Sequence, residues 1–249
     1  MKNHPLSPYI QAVVVNHNTS KYTELMLRSM FARHPSDLDI SITVLDNNSQ
    51  DDKAGLDAFA RAREIPVLPS GYGFKTKWNS HGEILRKFVM EHPDCAYYLF
   101  LDADACFLQD ETIPAMAREL EQDSSAFGIA PRLSPNGENE IGEEYRAKVY
   151  LSRLHPCCAL VRNTPVFQRV VEEIGLSCVQ YLWAAGEVYL DTFELMTKVM
   201  GTHGLRSILS SRMILHFFSV SYDWEPPDAM AFKAGLRDKL LEAYADALG

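Results

Sequence analysis

Two aspartates, Asp102 and Asp104, stand one residue apart in the apolar run 97–108, which reads YYLFLDADACFL. Burying an ionised carboxylate without a partner is costly, so the pair must leave the core at a strand end or meet a cation there. Alternate residues of a strand share a side, which places both carboxylates on one face. Mg²⁺ and Mn²⁺ prefer such hard oxygen ligands together with substrate phosphates. The spacing predicts a divalent-metal site; a turn cap beside a solvated carboxylate is the alternative.

The elements that must position this pair alternate between strands and helices. Apolar, β-branched runs over 9–18 and 40–52 predict buried strands that end at Asn16 and Asp46. A short third strand is predicted over 64–70 and a fourth over 96–108. Helical spacing of apolar residues predicts a helix after each of the first three strands, with Thr19 or Ser20 able to cap the first.

This alternation indicates an α/β fold with right-handed crossovers and a mostly parallel, Rossmann-like central sheet flanked by helices. Sheets of this kind bind ligands outside the carboxyl ends of their strands. Asn16, Asp46 and Asp102 all fall at predicted strand ends. We therefore expect them to converge at one edge of the sheet.

The second half of the chain predicts fewer regular elements. The segments are a helix after Asp110, a strand over 126–133, a polar loop over 134–146, a strand, turn and helix over 154–174, an amphipathic helix over 189–204, and one or two strands over 206–222. Apolar residues on one face predict a helix in the tail. The economical division is one domain over 1–227 and a C-terminal helix over 228–249 that packs on the domain or on a partner.

Composition narrows the functional classes. The 249 residues carry a formal net charge of −9, which argues against nucleic acid as a partner. No apolar run approaches the roughly 20 residues of a membrane-spanning helix, and the N-terminus lacks the apolar region of a secretory signal. The five cysteines form no CxxC pair, and their use is typical of free thiols in a reducing cytoplasm.

Four segments carry a resemblance to a known family. VVVNHNTSKYTELMLRSM, VLDNNSQDD, a loop with glycine and asparagine, and YYLFLDADACFL follow one another in the order seen in GT-A glycosyltransferases, especially the family-2-like ones. The chain resembles that family over about residues 9–218. The resemblance implies a GT-A fold with a C-terminal helical appendage. It also implies transfer of a sugar from a UDP, GDP or dTDP donor to an acceptor sugar, small molecule or lipid-linked glycan, with Mn²⁺ or Mg²⁺ as cofactor.

The resemblance further implies roles for single residues. Asp104 would be the principal metal ligand, Asp102 would face the ribose or a metal-bound water, and His216 would be a further ligand on a late strand. The donor would be contacted by Asn16, Asn18, Asp46, Gly71, Gly73, Lys77 or Lys75, Asn79, Asp102 and His155. A carboxylate such as Asp46 can accept the imide N–H of uracil or the matching edge of guanine. Turn chemistry for the two asparagines and a core role for His216 are the alternatives.

An inverting transferase also needs a base that takes the proton of the acceptor hydroxyl. In the family this is often a carboxylate at the start of a late helix, and the corresponding segment here contains Glu187 and Asp191. If helix runs through 187–191 the two carboxylates share a face; if it begins at Asp191, that residue caps it. We predict Asp191 as the base and Glu187 as the second choice. The chain lacks the adjacent Glu-Asp pair common in the family.

Two segments, 134–146 and 217–227, are predicted to cover the bound donor. Tyr222 and Trp224 in the second segment either stack on a sugar or fix the tail helix. Two other functions remain open. A sugar-phosphate nucleotidyltransferase should carry a glycine-rich, basic loop near its N-terminus, where this chain reads NHNTSKYTE. A non-catalytic nucleotide-sugar-binding protein would keep the fold without turnover. The glycosyltransferase interpretation is also compatible with a homodimer.

Overall fold

The computed structural model describes residues 9–34, 39–72, 80–183, 186–221 and 225–245. Its strands are β1 (Ile10–Asn16), β2 (Ile40–Asp46), β3 (Val67–Pro69), β4 (Tyr97–Asp102), β5 (Ala105–Cys106), β6 (Ala126–Ser134), β7 (Cys158–Arg162), β8 (Val179–Trp183), β9 (Gly186–Leu190) and β10 (Arg206–His216). Its α-helices are α1 (Ser20–Arg33), α2 (Ala54–Ala62), α3 (Ser80–Glu91), α4 (Thr112–Glu121), α5 (Glu143–Arg146), α6 (Pro165–Ile174), α7 (Glu194–Thr202) and α8 (Pro227–Ala243).

The central sheet has eight described strands in the order β3-β2-β1-β4-β7-β6-β10-β5. The first four are mutually parallel, and β6 is parallel to β10. The strand β7 runs antiparallel to both β4 and β6, and β5 runs antiparallel to β10. The predicted α/β class, with a central sheet flanked by helices, is confirmed.

Helices cover both faces of this sheet, which explains why β4 reads as a continuous apolar run. Leu99 and Leu101 face a core shared with α1, α2 and α4, which contribute residues such as Met26, Phe59 and Met116. Tyr98 and Phe100 face a second core shared with α3, α6 and α7. The two cores hold the carboxyl ends of β1, β2 and β4 in a fixed relation.

Two regions differ from the sequence-based expectation. The predicted polar loop over 134–146 ends in helix, because α5 begins at Glu143 and continues as a π-helical turn over Ala147–Leu151. The region before α7 is not helical: β8 and β9 form an antiparallel hairpin, and α7 begins only at Glu194. Both expectations about helix at Asp191 were therefore wrong. The helical spacing of the apolar residues in this segment predicts a helix from residue 189. Pairing of β9 with β8 outweighs that preference up to Leu190.

The C-terminal helix α8 packs on α1 and on the end of β10. Leu236, Leu240 and Tyr244 join a cluster with Tyr22 and Phe217. The Tyr244 hydroxyl donates to the carbonyl of Phe107 at 3.0 Å and accepts a hydrogen bond from Arg33 Nε at 3.1 Å. This tail helix therefore contributes to the core of the described structure.

No helix within the described ranges combines the length and apolarity needed to cross a membrane. The five cysteines all lie in described ranges, and no disulfide joins any two of them.

Candidate functional site

Parallel register brings the predicted strand-end residues together. Asn16 is paired with Asp46, and Val15 is paired with Asp102, so the carboxyl ends of β1, β2 and β4 form one edge. A cavity of about 870 Å³ opens at this edge, and Asp102, Asp104 and Asn47 line it. The convergence expected from the sequence is present in the structure.

Asp102, Asp104 and His216 form a compact group on the wall of this cavity. One potential ligand atom from each lies within 4.8 Å of the other two. The Nε2 atom of His216 is 3.1 Å from Oδ1 of Asp104 and 3.6 Å from Oδ2 of Asp102. Pairing of β5 with β10 sets this geometry, because it places His216 opposite Ala105, next to Asp104. The amide of Phe217 also donates to the carbonyl of Asp104 at 3.1 Å.

Burial and charge compete within the group. Burial raises the pKa of Asp102, and the nearby imidazoles of His81 and His216 only partly oppose this. Burial would also raise the pKa of Asp104, but the charge and hydrogen bond of His216 outweigh it and lower the pKa. Burial would lower the pKa of His216, yet Asp104 and Asp102 raise it. The buried Asp104 and the half-buried Asp102 thus share the imidazole of His216, and two neighbouring carboxylates favour a further positive charge.

His216 also carries an unpartnered polar atom. Its Nδ1 atom is buried and has no hydrogen-bond partner within the described part of the chain. Buried polar groups without partners are rare in folded proteins. The ring is fixed instead by Phe218, whose ring centroid is 4.1 Å away, and by the Asp104 contact.

The polar residues at the ends of β1 and β2 form a hydrogen-bonded cluster. Asn16 is fully buried, and its Nδ2 lies 2.9 Å from Asp46 Oδ1 and 3.0 Å from the hydroxyls of Ser20 and Ser49. Lys53 Nζ lies 3.2 Å from Asp46 Oδ2. Burial would raise the pKa of Asp46, but hydrogen bonds from Ser49, Lys53 and Asn16 outweigh it and lower the pKa. Asp46 is therefore an oriented carboxylate, with its immediate neighbour Asn47 on the cavity wall.

Asn18 has the left-handed backbone conformation, with φ of 54°, that asparagine tolerates in turns. Its Oδ1 accepts from the amide of Gln50 at 2.7 Å, which ties the β1–α1 turn to the segment after β2.

Gly71 also has a left-handed backbone, at φ +77°, and a Cβ there would lie 3.1 Å from Lys87 Nζ. Gly73, Lys75, Lys77, Asn79, Tyr222 and Trp224 lie outside the described residues.

The candidate bases occupy the hairpin and the turn after it. Asp191 lines the cavity, and its Oδ2 is 2.8 Å from Arg153 Nη2. Its Oδ1 accepts from the amide of Thr192 at 2.8 Å. The backbone of Glu187 lies in β9, whereas its side chain lies outside the described part. The carboxylate of Asp191 is therefore held by Arg153 and the Thr192 amide, whereas its backbone is joined to the first residue of α7, Glu194, by two hydrogen bonds.

His155 is buried against the same cavity. Its Nδ1 accepts from the amide of Cys157 at 3.2 Å, and its ring centroid is 5.5 Å from that of His216. His155 thus stands close to the acidic group. Burial, with Arg153 and His216 adding to it, holds the pKa of His155 well below its ordinary value.

Sequence reasoning missed two residues that the structure brings to the site. His81, in the first turn of α3, has Nε2 at 3.7 Å from Asp102 Oδ1. A helix that starts at the carboxyl edge of a sheet is a signal that could have identified it. Arg153 donates to the carbonyl of Thr192 at 2.8 Å besides pairing with Asp191. No local pattern marks Arg153, because only the tertiary fold places it opposite the β8–β9 hairpin.

No protein-family model matches the sequence, and no curated protein matches it significantly. Solved structures do match the fold. One is a mannosyltransferase from Pyrobaculum calidifontis in complex with GDP-Man and Mn²⁺, with a TM-score of 0.60 and 14% identity over 98% of this chain and 73% of that one. Another is glucosyl-3-phosphoglycerate synthase from Mycobacterium tuberculosis with Mn²⁺, UDP and phosphoglyceric acid, with a TM-score of 0.54 and 14% identity over 97% and 79%.

TarS from S. aureus matches with a TM-score of 0.53 and 14% identity, over 94% of this chain and 70% of that one. These structures share the helix-flanked sheet, and the predicted likeness to GT-A proteins is confirmed at the level of architecture. The chain has a GT-A fold.

Proposed function

We propose that the protein is a metal-dependent glycosyltransferase. It moves a sugar from a nucleotide-diphosphate donor carrying UDP, GDP or dTDP to an acceptor hydroxyl, with inversion at the anomeric carbon. The acceptor is a sugar, a small molecule or a lipid-linked glycan. The proposal depends most on one observation, the group of Asp102, Asp104 and His216 on the cavity wall.

The donor set of this group fits Mn²⁺ or Mg²⁺. Two carboxylates supply the hard oxygen ligands that these ions prefer, and neutral imidazole is a common metal ligand in proteins. Asp104 is buried and Asp102 is half-buried, and burial raises the pKa of Asp102 even beside His81 and His216, so a bound ion would stabilise the ionised pair. When bound, the ion would supply charge neutralisation for the donor diphosphate as it leaves. The mannosyltransferase and synthase structures contain Mn²⁺ together with nucleotide.

We assign recognition of the nucleoside base to Asp46. Its lowered pKa keeps it ionised at neutral pH, so it acts as an acceptor for a base N–H. The Nδ2 of Asn16 donates to Oδ1 of this carboxylate at 2.9 Å and so orients it. Contacts from Asn18, Gly71, Gly73, Lys77, Asn79 and His155 to the donor remain predictions.

Asp191 is our choice for the base, with Glu187 as the second. Asp191 lies on the cavity wall, and its ion pair with Arg153 fixes the direction of one carboxylate oxygen. A carboxylate held in this way can take the acceptor proton once the hydroxyl is within hydrogen-bond reach. We expect Asp191→Asn to abolish transfer while leaving donor binding intact. Loss of transfer in Glu187→Gln alone would reverse the assignment.

A thermal-shift screen of UDP, GDP and dTDP, each with and without Mn²⁺, tests the binding step. Ligand at 100 times its dissociation constant stabilises the folded state by about 2.7 kcal/mol. We expect one nucleotide to stabilise the protein, and to do so strongly only with Mn²⁺. Asp102→Asn and Asp104→Asn should each remove the Mn²⁺-dependent part.

Asp94→Asn is the matched control, because Asp94 is exposed in the loop before β4, at the opposite end of that strand. It should respond to nucleotide as the wild type does. Turnover is then measured as Mn²⁺-dependent cleavage of sugar donors that carry the nucleotide identified in the screen. Binding without cleavage, with or without acceptors, would favour the non-catalytic function. Formation of a nucleotide sugar from nucleoside triphosphate and sugar phosphate would favour the nucleotidyltransferase.

A further inference from the structure

Asp102 belongs to a second group of potential ligands, which includes one residue, Cys157, that has no role in the proposed reaction. This group consists of Asp102, His155 and Cys157, and one ligand atom from each lies within 4.8 Å of the other two. His155 and Cys157 are both buried. Asp102 is therefore shared by two sets of ligands with different chemistry.

Strand pairing brings the three side chains together. Leu101 of β4 is paired with Cys158 of β7, so the next position along β4, Asp102, lies opposite Cys157. The Asp102 amide donates to the Cys157 carbonyl at 2.9 Å, which confirms this pairing at the strand end. His155 precedes Cys157 by two residues, and the Cys157 amide donates to its Nδ1 at 3.2 Å, a hydrogen bond that coordination of a cation through either ring nitrogen would replace. The grouping thus results from backbone register and not from long, mobile side chains.

The ligand types differ from those of the first group. A thiolate, an imidazole and a carboxylate are the side chains that bind Zn²⁺ in proteins. Thiolates select such soft or borderline cations over Mg²⁺ and Mn²⁺. Tetrahedral Zn²⁺ places its ligand atoms roughly 3.3–3.8 Å apart, so shifts of about 1 Å would close this group on an ion. Asp102 and His155 line the cavity, which gives the ion a route of entry and leaves a fourth position for water.

We propose that Asp102, His155 and Cys157 form a site for Zn²⁺ or a similar thiophilic divalent cation. On binding, the S–H bond of Cys157 breaks, a zinc–sulfur bond forms, and the proton passes to solvent. Because one carboxylate cannot serve both groups fully, Zn²⁺ at this site withdraws Asp102 from Asp104 and His216. Zn²⁺ therefore inhibits the Mn²⁺-dependent reaction, and this last consequence alone depends on the proposed function.

The test uses Co²⁺ as a spectroscopic probe of the full-length protein. Cobalt bound to a thiolate gives an intense charge-transfer absorption in the near ultraviolet, which carboxylate and imidazole ligands do not produce. We expect this band in the wild type, and we expect Zn²⁺ to displace it. Cys157→Ser should remove the band. Cys158→Ser is the matched control, because it changes the adjacent buried thiol that is not in the group, and it should keep the band.

Two further variants separate the two ligand groups. Asp104→Asn should keep the band, since Asp104 belongs only to the first group, whereas His155→Gln should weaken Co²⁺ binding at least tenfold. Mn²⁺-dependent stabilisation by nucleotide should survive in Cys157→Ser, which shows that the variant is folded. No band in the wild type, or a band that persists in Cys157→Ser, overturns the proposal. These spectra do not require turnover, so failure of the proposed transferase reaction would leave them interpretable.

Discussion

The side chain of Asn16 links several elements at the carboxyl edge of the sheet. Its Oδ1 accepts from the hydroxyls of Thr19 and Thr23 at 3.0 and 2.9 Å, and its Nδ2 contacts Asp46, Ser20 and Ser49. The amide therefore joins the end of β1, the first turn of α1 and the turn after β2. With the whole amide engaged inside the protein, we interpret Asn16 as the residue that positions Asp46.

Asn16→Ala should lower the free energy of unfolding by about 2–3 kcal/mol, because it leaves several buried polar groups without a partner. Urea denaturation measures this change. Asn139→Ala is the control, since Asn139 is exposed, and its effect should stay within about 0.5 kcal/mol. A loss below 1 kcal/mol in Asn16→Ala would mean that water replaces the amide easily, contrary to its full burial.

At the scale of elements, described residues between the end of β10 and the start of α8 form the cavity wall beside His216. Phe218, Ser219 and Glu225 line the cavity, and Phe218 and Ser219 both have positive φ, at 50° and 54°. Such conformations are unfavourable for these residues and persist only where neighbouring contacts hold them. Lys233 of α8 supplies those contacts: its Nζ donates to the Phe218 carbonyl at 2.9 Å and pairs with Glu225 at 3.2 Å.

Lys233→Met should therefore loosen the wall beside His216 while keeping the aliphatic stem of the side chain. We expect binding of Mn²⁺ with nucleoside diphosphate to weaken about tenfold, equivalent to about 1.4 kcal/mol. Isothermal titration calorimetry measures the affinity. Lys239→Met is the matched control on the same helix, because Lys239 is exposed, and its affinity should equal that of the wild type. Equal affinities in all three proteins would show that α8 does not hold this wall.

At the scale of the molecule, secondary structure is predicted best from the sequence in segments whose residues all face the same environment. The strands β1, β2 and β4 are buried on both faces, so their apolar runs and the polar residues that end them are visible without a structure. The carboxylate group could be predicted for the same reason. The hairpin β8–β9 could not, because a pair of strands outside the main sheet depends on its cross-strand partners.

Arg153 and the Asp102–His155–Cys157 group depend on tertiary placement in the same way. Cys157 follows His155 closely in the chain, but neither position indicates that β7 pairs with β4 and that Asp102 lies opposite. The antiparallel strand β7 interrupts the parallel series, and no periodicity in the chain reports which strand it joins. The local sequence pattern therefore predicts the polar residues at the ends of β1, β2 and β4. The positions of Arg153 and His155 at the cavity depend instead on long-range contacts that the pattern does not report.

The C-terminal helix α8 tests whether the described chain unfolds as one unit. Helix α8 has 17 residues, and because most of the stability of a helix in a protein comes from tertiary packing, we expect its contacts with α1 and β10 to hold it. Tyr244 is 8% exposed and joins that contact to the carbonyl of Phe107, at the end of the β4–β5 segment that carries Asp102 and Asp104. We therefore expect α8 to unfold together with the rest of the chain and not as a separate unit.

Tyr244→Ala should lower the global free energy of unfolding by about 3 kcal/mol, the cost of a large-to-small change in a packed core. Phe232→Ala, on the same helix but 62% exposed, is the matched control and should have little effect. Hydrogen exchange separates the two modes of unfolding. If α8 shares the global transition, Tyr244→Ala accelerates exchange in α8 and in the slowest amides of α1 by the same factor. Acceleration confined to α8 would instead show that the helix opens locally, and that the wall beside His216 can loosen while the sheet stays folded.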